Sequence, residues 1–247
     1  MGFWDFIGDQ TLSGTGFDTF GAEHLIFVGC IAAFIASACV VFRRLTERGQ
    51  TLFFRVWTGI ALCMEALKQV IIAVNIHPYP VSELTLNLCG LFTFVGVIYA
   101  FRPNRVMGEL LYCLGLPSAL AALLTPDWTR YPVFNYYSLH AFIIHGFLLG
   151  APILLLVSRK LRPNVSNLWR AALCLVAAAI PITVVNTLLK TNFMFLRWAP
   201  KGTPLEIFDT WFGGLGSHGY LLGLVLLIAV IWTLLYLPWV LAGREKR

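Results

Sequence analysis

Charged residues are scarce in this sequence. Only 12% of its 247 residues are Asp, Glu, Lys or Arg, whereas 58% are hydrophobic, and the mean hydropathy is +0.77. A soluble globular protein has about a quarter charged residues, so this composition excludes an ordinary water-soluble domain. A chain this apolar is expected to lie in lipid, where the backbone must satisfy its own hydrogen bonds.

Several sequence signals are also missing. The first residues, MGFWDFIGDQ, contain no basic stretch and no cleavage site, so we expect no signal peptide. All six cysteines lie in apolar segments, which excludes the disulfide framework of a small secreted protein. No internal repeat is visible, which argues against an inverted-repeat transporter. No histidine pair has the HxxxH spacing of a zinc site, and we predict no metal and no nucleotide cofactor.

Seven apolar stretches are long enough to cross a bilayer, which takes about 20 residues each. They predict an all-α fold, a polytopic membrane bundle of seven transmembrane helices that forms one domain over residues 1–247. The predicted spans are residues 25–42, 52–74, 84–101, 106–124, 139–157, 168–189 and 219–242.

The basic residues predict how the spans are oriented. Of the 18 Lys and Arg residues, 13 fall on one side of the predicted spans and four on the other, while Lys68 lies inside the second span. Because Lys and Arg are enriched in cytoplasmic loops, the N-terminus is predicted to lie outside and the C-terminus in the cytoplasm. The net charge of +6 therefore indicates no nucleic-acid partner. Short loops and the absence of a signal peptide suit a bacterial inner membrane.

The second span carries three polar residues that lipid should exclude. Glu65, Lys68 and Gln69 are three and four residues apart, so they lie on one face of a helix. Ionisable groups at membrane depth are costly and are the first candidates for function. The alternative is that Glu65 and Lys68 form an ion pair that only buries charge. Glu109, three residues into the fourth span, is predicted to be solvated near the cytoplasmic interface.

Polar residues of two other spans are predicted to reach a similar depth. Cys89 lies near the start of the third span, and the fifth contains His140 and His145. With a rise of about 1.5 Å per residue, Cys89 and His145 lie roughly 8 and 9 Å below the outer helix ends, and Glu65 roughly 14 Å. We therefore predict that these spans surround a polar cavity open to the outer leaflet.

Cys89 and His145 are the Cys/His combination whose predicted depths match closely. A thiol beside an imidazole is a nucleophile with its base, the pair that acyl transfer needs. Simpler interpretations stay open, since a free cysteine is often a small buried hydrophobe and His145 can hydrogen-bond a neighbouring helix. Gly146 and Gly150 have the GxxxG spacing, which predicts a close helix contact on this face of the fifth span.

Several motifs resemble those of a known family. Glu65 lies in a polar second span, and the matching segments are FGAEHL (20–25), LTLNLC (84–89), YCLGLPSALAALLTPD (112–127), FIIHG (142–146) and TNFMFL (191–196), followed by Pro200. They occur in the same order over nearly the whole chain. The sequence thus resembles the YwaF-type integral membrane family, which is related to eukaryotic transmembrane protein 164.

The resemblance implies a function. The eukaryotic relative is regarded as a phospholipid acyltransferase that uses a cysteine and a histidine, and Cys89 and His145 match those positions. Thr85 and Asn87 stand where the motif usually has Pro and His, and Asn87 cannot relay a proton. The implied substrates and partners are membrane lipids.

Two functions from different classes follow from these observations. The first is a Cys/His acyltransferase or lipid-remodelling enzyme that acts on glycerophospholipids from the outer leaflet. The second is a non-enzymatic lipid or small-molecule binder or transporter that uses the same polar cavity. Supporting or substrate-binding roles are predicted for Glu65, Lys68, Gln69, His140 and Asn192.

Overall fold

The computed structural model describes residues 2–6, 16–200, 205–216 and 219–243. Within these ranges the regular secondary structure is helical and contains no β-strand. Seven of the helical segments that the structure describes are long and apolar enough to cross a membrane, which confirms the predicted fold class. They are Ala22–Arg44, Glu47–Asn75, Val81–Phe101, Arg105–Leu124, Tyr136–Val157, Val165–Leu189 and Tyr220–Leu241.

Within these spans the individual helices have the following bounds. They are α1 (Ala22–Arg44), α2 (Glu47–Asn75), α3 (Leu88–Phe101), α4 (Arg105–Leu110), α5 (Leu116–Leu124), α6 (Tyr136–Val157), α7 (Leu168–Leu189), α8 (Glu206–Phe212) and α9 (Tyr220–Leu241). The chain divides into two compact units, residues 1–80 with 89–161 and residues 81–88 with 162–247. The orientation of the termini and the single domain stay predictions.

Helix α6 lies at the centre of the first unit, where it contacts α1, α2 and α5. Two glycines make this packing possible. A Cβ atom on Gly150 would lie 2.5 Å from Cζ2 of Trp57 in α2, and one on Gly146 would lie 3.1 Å from Ile31 in α1. The Trp57 ring also donates a hydrogen bond of 2.8 Å from Nε1 to the Phe147 carbonyl. Both glycines therefore line close helix contacts beside His145, in agreement with the prediction.

The fourth span is interrupted by a π-helical turn. Residues Leu111–Gly115 form this turn between α4 and α5, and the N–H of Leu116 donates to the Leu111 carbonyl. Pro117 follows, and because proline has no N–H and crowds the preceding turn, it disturbs regular α-helical bonding there. Π-turns commonly accommodate such disturbances.

Glu109 lies at the end of α4, just before the π-helical turn, and it corrects one prediction. Only 2% of the residue is exposed, whereas the sequence predicted a solvated side chain. The residues that follow it, from Leu110 to Gly115, are buried as well. The position of Glu109 near a span end therefore did not decide its burial.

Polar side chains fix the N-terminal residues and the helix ends of the first unit. Asn135 caps α6, where its Oδ1 accepts from the Tyr137 N–H, and its Nδ2 donates to the carbonyls of Gly2 and Asp5. The buried His24 of α1 accepts from the Phe20 N–H at Nδ1, and its Nε2 lies 2.8 Å from the Leu123 carbonyl at the end of α5. These bonds position the end of α6 that carries His140.

The second unit contains α7, α8 and α9. The buried Asn186 of α7 organises the connection that follows it. Its Oδ1 accepts from the Phe193 N–H and the Thr191 hydroxyl, and its Nδ2 donates to the Phe193 carbonyl. Helix α8 packs on α9 at Gly223, where a Cβ atom would lie 2.2 Å from Cγ of Phe208.

The contact at Gly150 leads to a stability prediction. Gly150→Leu should lower the free energy of unfolding by about 1–3 kcal/mol, because the new side chain must displace the Trp57 ring. Gly29→Leu is the matched control, since Gly29 is exposed on α1 and a Cβ atom there would have no neighbour within 4 Å. The measurement is thermal unfolding of the purified protein in detergent. Equal unfolding midpoints for the two variants would contradict the packing described here.

Candidate functional site

The structure brings Cys89 and His145 together. Cys89 is the second residue of α3, and His145 lies in the middle of α6. The Cys89 thiol is a neighbour of the His145 imidazole and interacts with it electrostatically. Both residues are half-buried, so the pair is neither open to bulk solvent nor sealed in the core. The two residues that the sequence paired by depth and by family motif are therefore neighbours.

One hydrogen bond determines which nitrogen of His145 carries the proton. His145 Nδ1 lies 2.7 Å from the Ala141 carbonyl, one turn earlier in α6. A carbonyl oxygen only accepts, so Nδ1 carries the proton of the neutral imidazole. Nε2 then has a free lone pair, which can accept the proton of a neighbouring thiol. This is the tautomer that a base needs in order to take the thiol proton.

Trp128 fixes the plane of the His145 ring. Its indole stacks on the imidazole with a centroid distance of 5.1 Å and an interplanar angle of 11°. Phe142 holds the other side of Trp128 in an edge-to-face contact at 5.3 Å. The neighbouring Asp127 interacts electrostatically with His145. A nearby carboxylate stabilises the positive charge that an imidazole gains when it accepts a proton.

Glu65 is the centre of a second polar group in the same unit. Its Oε1 lies 3.1 Å from Lys68 Nζ and accepts a hydrogen bond of 3.1 Å from Gln69 Nε2. The Gln69 side-chain oxygen in turn accepts from the Tyr79 hydroxyl. Glu65 is only 6% exposed, so these donors compensate a charge that lipid would otherwise oppose. The intrahelical ion pair with Lys68 exists, but it is part of a larger network.

His140 joins this network to the Cys89–His145 pair. Its Nε2 lies 3.6 Å from Glu65 Oε2 and has no hydrogen-bond partner within the described part of the chain. His140 interacts electrostatically with His145. The two polar groups are therefore neighbours, as the sequence predicted for Glu65 and the Cys/His pair.

Asn192 belongs to the second unit and has a different environment. Its Oδ1 accepts from the N–H groups of Arg197 and Trp198, and its Nδ2 donates to the Trp198 carbonyl. Asn87, in the same unit, accepts from the Met194 N–H at 3.3 Å. These bonds give Asn192 a role in shaping the connection after α7. Its predicted role in substrate binding stays a prediction.

Sequence reasoning missed two members of the site. The sequence singled out neither Trp128 nor Tyr79, because Trp and Tyr are common at the membrane interface. The only signal for Trp128 was its position directly after the TPD of the family motif. Tyr79 had no signal, because its contact with Gln69 depends on the course of the loop after α2. In the described ranges no three His, Cys, Asp or Glu side chains form a group that could hold a metal ion.

A small cavity lies beside the site in the first unit. Its volume is about 10 Å³, and its walls include Ala61, Phe92, Thr93, Gly96 and Leu148. Ala61 lies one turn before Glu65 on α2, and Phe92 and Thr93 lie one turn after Cys89 on α3. The space is of the order of one water molecule, far below the size of an acyl chain. The lateral opening to the outer leaflet stays a prediction.

The proximity of His145 to Cys89 predicts how fast the Cys89 thiol is alkylated. His145→Ala should slow the alkylation of Cys89 by iodoacetamide at neutral pH at least about tenfold, because the thiolate is the nucleophile and Nε2 accepts the thiol proton. Labelling is quantified at each cysteine by peptide mass spectrometry. Cys63, which is exposed on α2, serves as the internal control and should react equally in both proteins. Unchanged labelling of Cys89 would show that His145 does not activate it.

Comparison with known proteins gives one match. The model of the TMEM164 family matches residues 19–236, which is well over half of the chain and includes every residue of the site described above. Comparisons with curated proteins and with solved structures gave no match. The resemblance inferred from the motifs is confirmed at the level of the family. The chain is an integral membrane protein and belongs to the TMEM164 family.

Proposed function

We propose that the protein is a membrane-embedded acyltransferase or lipid-remodelling enzyme that acts on glycerophospholipids from the outer leaflet. The observation that carries this proposal is that the Cys89 thiol neighbours the His145 imidazole, whose Nδ1 is anchored on the Ala141 carbonyl. A structural cysteine needs no base beside it, whereas a nucleophilic one does.

The proposed reaction has two steps, acylation of Cys89 and transfer of the acyl group to an acceptor. The Cys89 sulfur attacks the carbonyl carbon of an acyl ester as its proton passes to His145 Nε2. The C–S bond forms, the ester C–O bond breaks, and the leaving oxygen takes the proton from His145. In the second step a hydroxyl group of the acceptor lipid gives its proton to Nε2 and attacks the thioester carbonyl. The new C–O bond forms, the C–S bond breaks, and the leaving sulfur takes the proton back from Nε2, which restores the Cys89 thiol and the neutral His145.

The second polar group supports this chemistry. Lys68 retains some exposure, with 17% of its side chain accessible, and it is the cationic member of the group. We assign it and Gln69 to the binding of the lipid headgroup, because an ammonium and an amide are donors for phosphate oxygens. Glu65 and His140 hold these donors in place. We propose no nucleotide or metal cofactor for this chemistry.

The substrate approaches from the lipid. The cavity beside the site holds only about 10 Å³, so we assign the acyl chain to the surrounding lipid rather than to this cavity. A diacyl lipid whose ester group reaches Cys89 can leave its chains among those of the bilayer. Location in the outer leaflet of a bacterial inner membrane is part of the same proposal and rests on the distribution of Lys and Arg.

The alternative is a lipid or small-molecule binder or transporter. It is favoured by the Glu65 network, which is polar, largely buried and does not require a thiol. A binder has no use for the tautomer that leaves Nε2 of His145 free to accept a proton. The two functions therefore differ in their dependence on Cys89.

A transfer assay distinguishes the two functions. The protein is reconstituted in liposomes that contain a phospholipid with a labelled acyl chain and an unlabelled lysophospholipid, and the label is followed between them. Cys89→Ser should reduce transfer to background, and His145→Ala should reduce it by about 10²–10⁴-fold through loss of the base. Cys63→Ser, a change on α2 outside the site, should transfer the label at the parent rate. Parent-like transfer by Cys89→Ser would overturn the proposal and favour the binder.

A further inference from the structure

The indole N–H of Trp128 is buried without a partner. The side chain is 6% exposed, and its Nε1 forms no hydrogen bond within the part of the chain that the structure describes. A buried tryptophan usually satisfies its N–H, and leaving such a donor unpaired costs about 1–3 kcal/mol. Trp57, in the same unit, follows the usual rule and donates to the Phe147 carbonyl at 2.8 Å.

The unpaired donor lies beside the reacting groups. The indole is stacked on His145, at a centroid distance of 5.1 Å and nearly parallel to it. His145 in turn neighbours the Cys89 thiol, so the donor, the base and the nucleophile are consecutive neighbours. The stack with His145 and the edge contact with Phe142 fix the orientation of the indole. A fixed donor with no partner of its own is suited to a charge that appears only during the reaction.

We propose that Trp128 is a further catalytic residue, whose Nε1–H donates to the oxygen of the acyl carbonyl that Cys89 attacks. This inference rests on the proposed acyl transfer. When the C–S bond forms, the π electrons of the carbonyl move onto its oxygen, which becomes an oxyanion two bonds from the sulfur. Trp128 binds this oxyanion until the C–O bond breaks and the carbonyl reforms. The ligand class is therefore an acyl ester or thioester.

The arrangement also explains why a tryptophan stacks on the base. Phenylalanine would provide a similar ring face for the imidazole but no donor. Lys68 and Gln69, for which the sequence predicted supporting or substrate-binding roles, are both engaged with Glu65. Trp128 is the buried donor that combines an unpaired N–H with direct contact to His145, within the described residues.

Two reactions of the same thiol separate this role from a structural one. Alkylation of Cys89 by iodoacetamide forms a C–S bond without an oxyanion, whereas acylation by a p-nitrophenyl ester of a fatty acid passes through one. Both rate constants are measured on the full-length protein in detergent by peptide mass spectrometry at Cys89. Trp128→Phe should lower the ratio of acylation to alkylation by about 10²–10³-fold, the usual effect of removing one oxyanion donor.

Two further variants make the test decisive. Trp57→Phe removes an indole N–H from a structural bond and should leave the ratio unchanged. Trp128→3-benzothienylalanine keeps the bicyclic ring but replaces the N–H by sulfur, and it should lower the ratio as Trp128→Phe does.

The possible outcomes are distinguishable. A ratio that stays at the parent value in both Trp128 variants overturns the role of Trp128, and so does a parallel fall of both rates, which indicates that the ring only positions His145. A parent protein that is alkylated at Cys89 but never acylated overturns the proposed function itself.

Discussion

The ring of Trp57 lies directly against α6 because residue 150 has no side chain. A Cβ atom there would lie 2.5 Å from the indole, so any other residue would push α2 and α6 apart. The same indole donates to the Phe147 carbonyl and stacks on Phe34 of α1, at 5.2 Å and 12°. This contact keeps α6 in the interior of the first unit. The positions of His140 and His145 depend on it, since both side chains project from α6 toward α2 and α3.

Once α6 is fixed, the cost of polar groups in lipid determines the rest of the site. Glu65 is held by Lys68, Gln69 and His140, and no carboxylate could remain ionised at that depth without such partners. His145 is anchored through Nδ1 to its own helix, which leaves Nε2 for Cys89. The site therefore places a carboxylate that has several partners next to an imidazole that neighbours a thiol.

Much of this was predictable from the sequence, for reasons that are local. The length of the apolar stretches determined the seven spans, and helical periodicity placed Glu65, Lys68 and Gln69 on one face. Counting residues from the helix ends placed Cys89 and His145 at a similar depth. The GxxxG spacing identified the close packing of α6. The family resemblance selected the same Cys/His pair independently.

The remaining features depend on how irregular segments fold. Trp128 follows α5 in a connection whose path no periodicity describes, so its stack on His145 was not predictable. The bonds of the Asn192 amide to the backbone of its own loop were likewise not predictable, and its role in substrate binding stays a prediction. Glu109 was expected to be solvated, because the depth estimate counts residues from a helix end and ignores which side of the helix faces the core. A single sequence gives little information on how each helix is rotated about its own axis.

The proposed acyl transfer requires that Cys89 carries an acyl group during the reaction. The most direct measurement is peptide mass spectrometry of the protein after incubation with phospholipid in the absence of an acceptor. We expect a fatty-acyl mass on the Cys89 peptide, and hydroxylamine should remove it, as it does from thioesters. In His145→Ala this adduct should form much more slowly. The contradicting result is a Cys89 peptide that stays unmodified at every time point, in protein that transfers acyl groups between lipids once an acceptor is added.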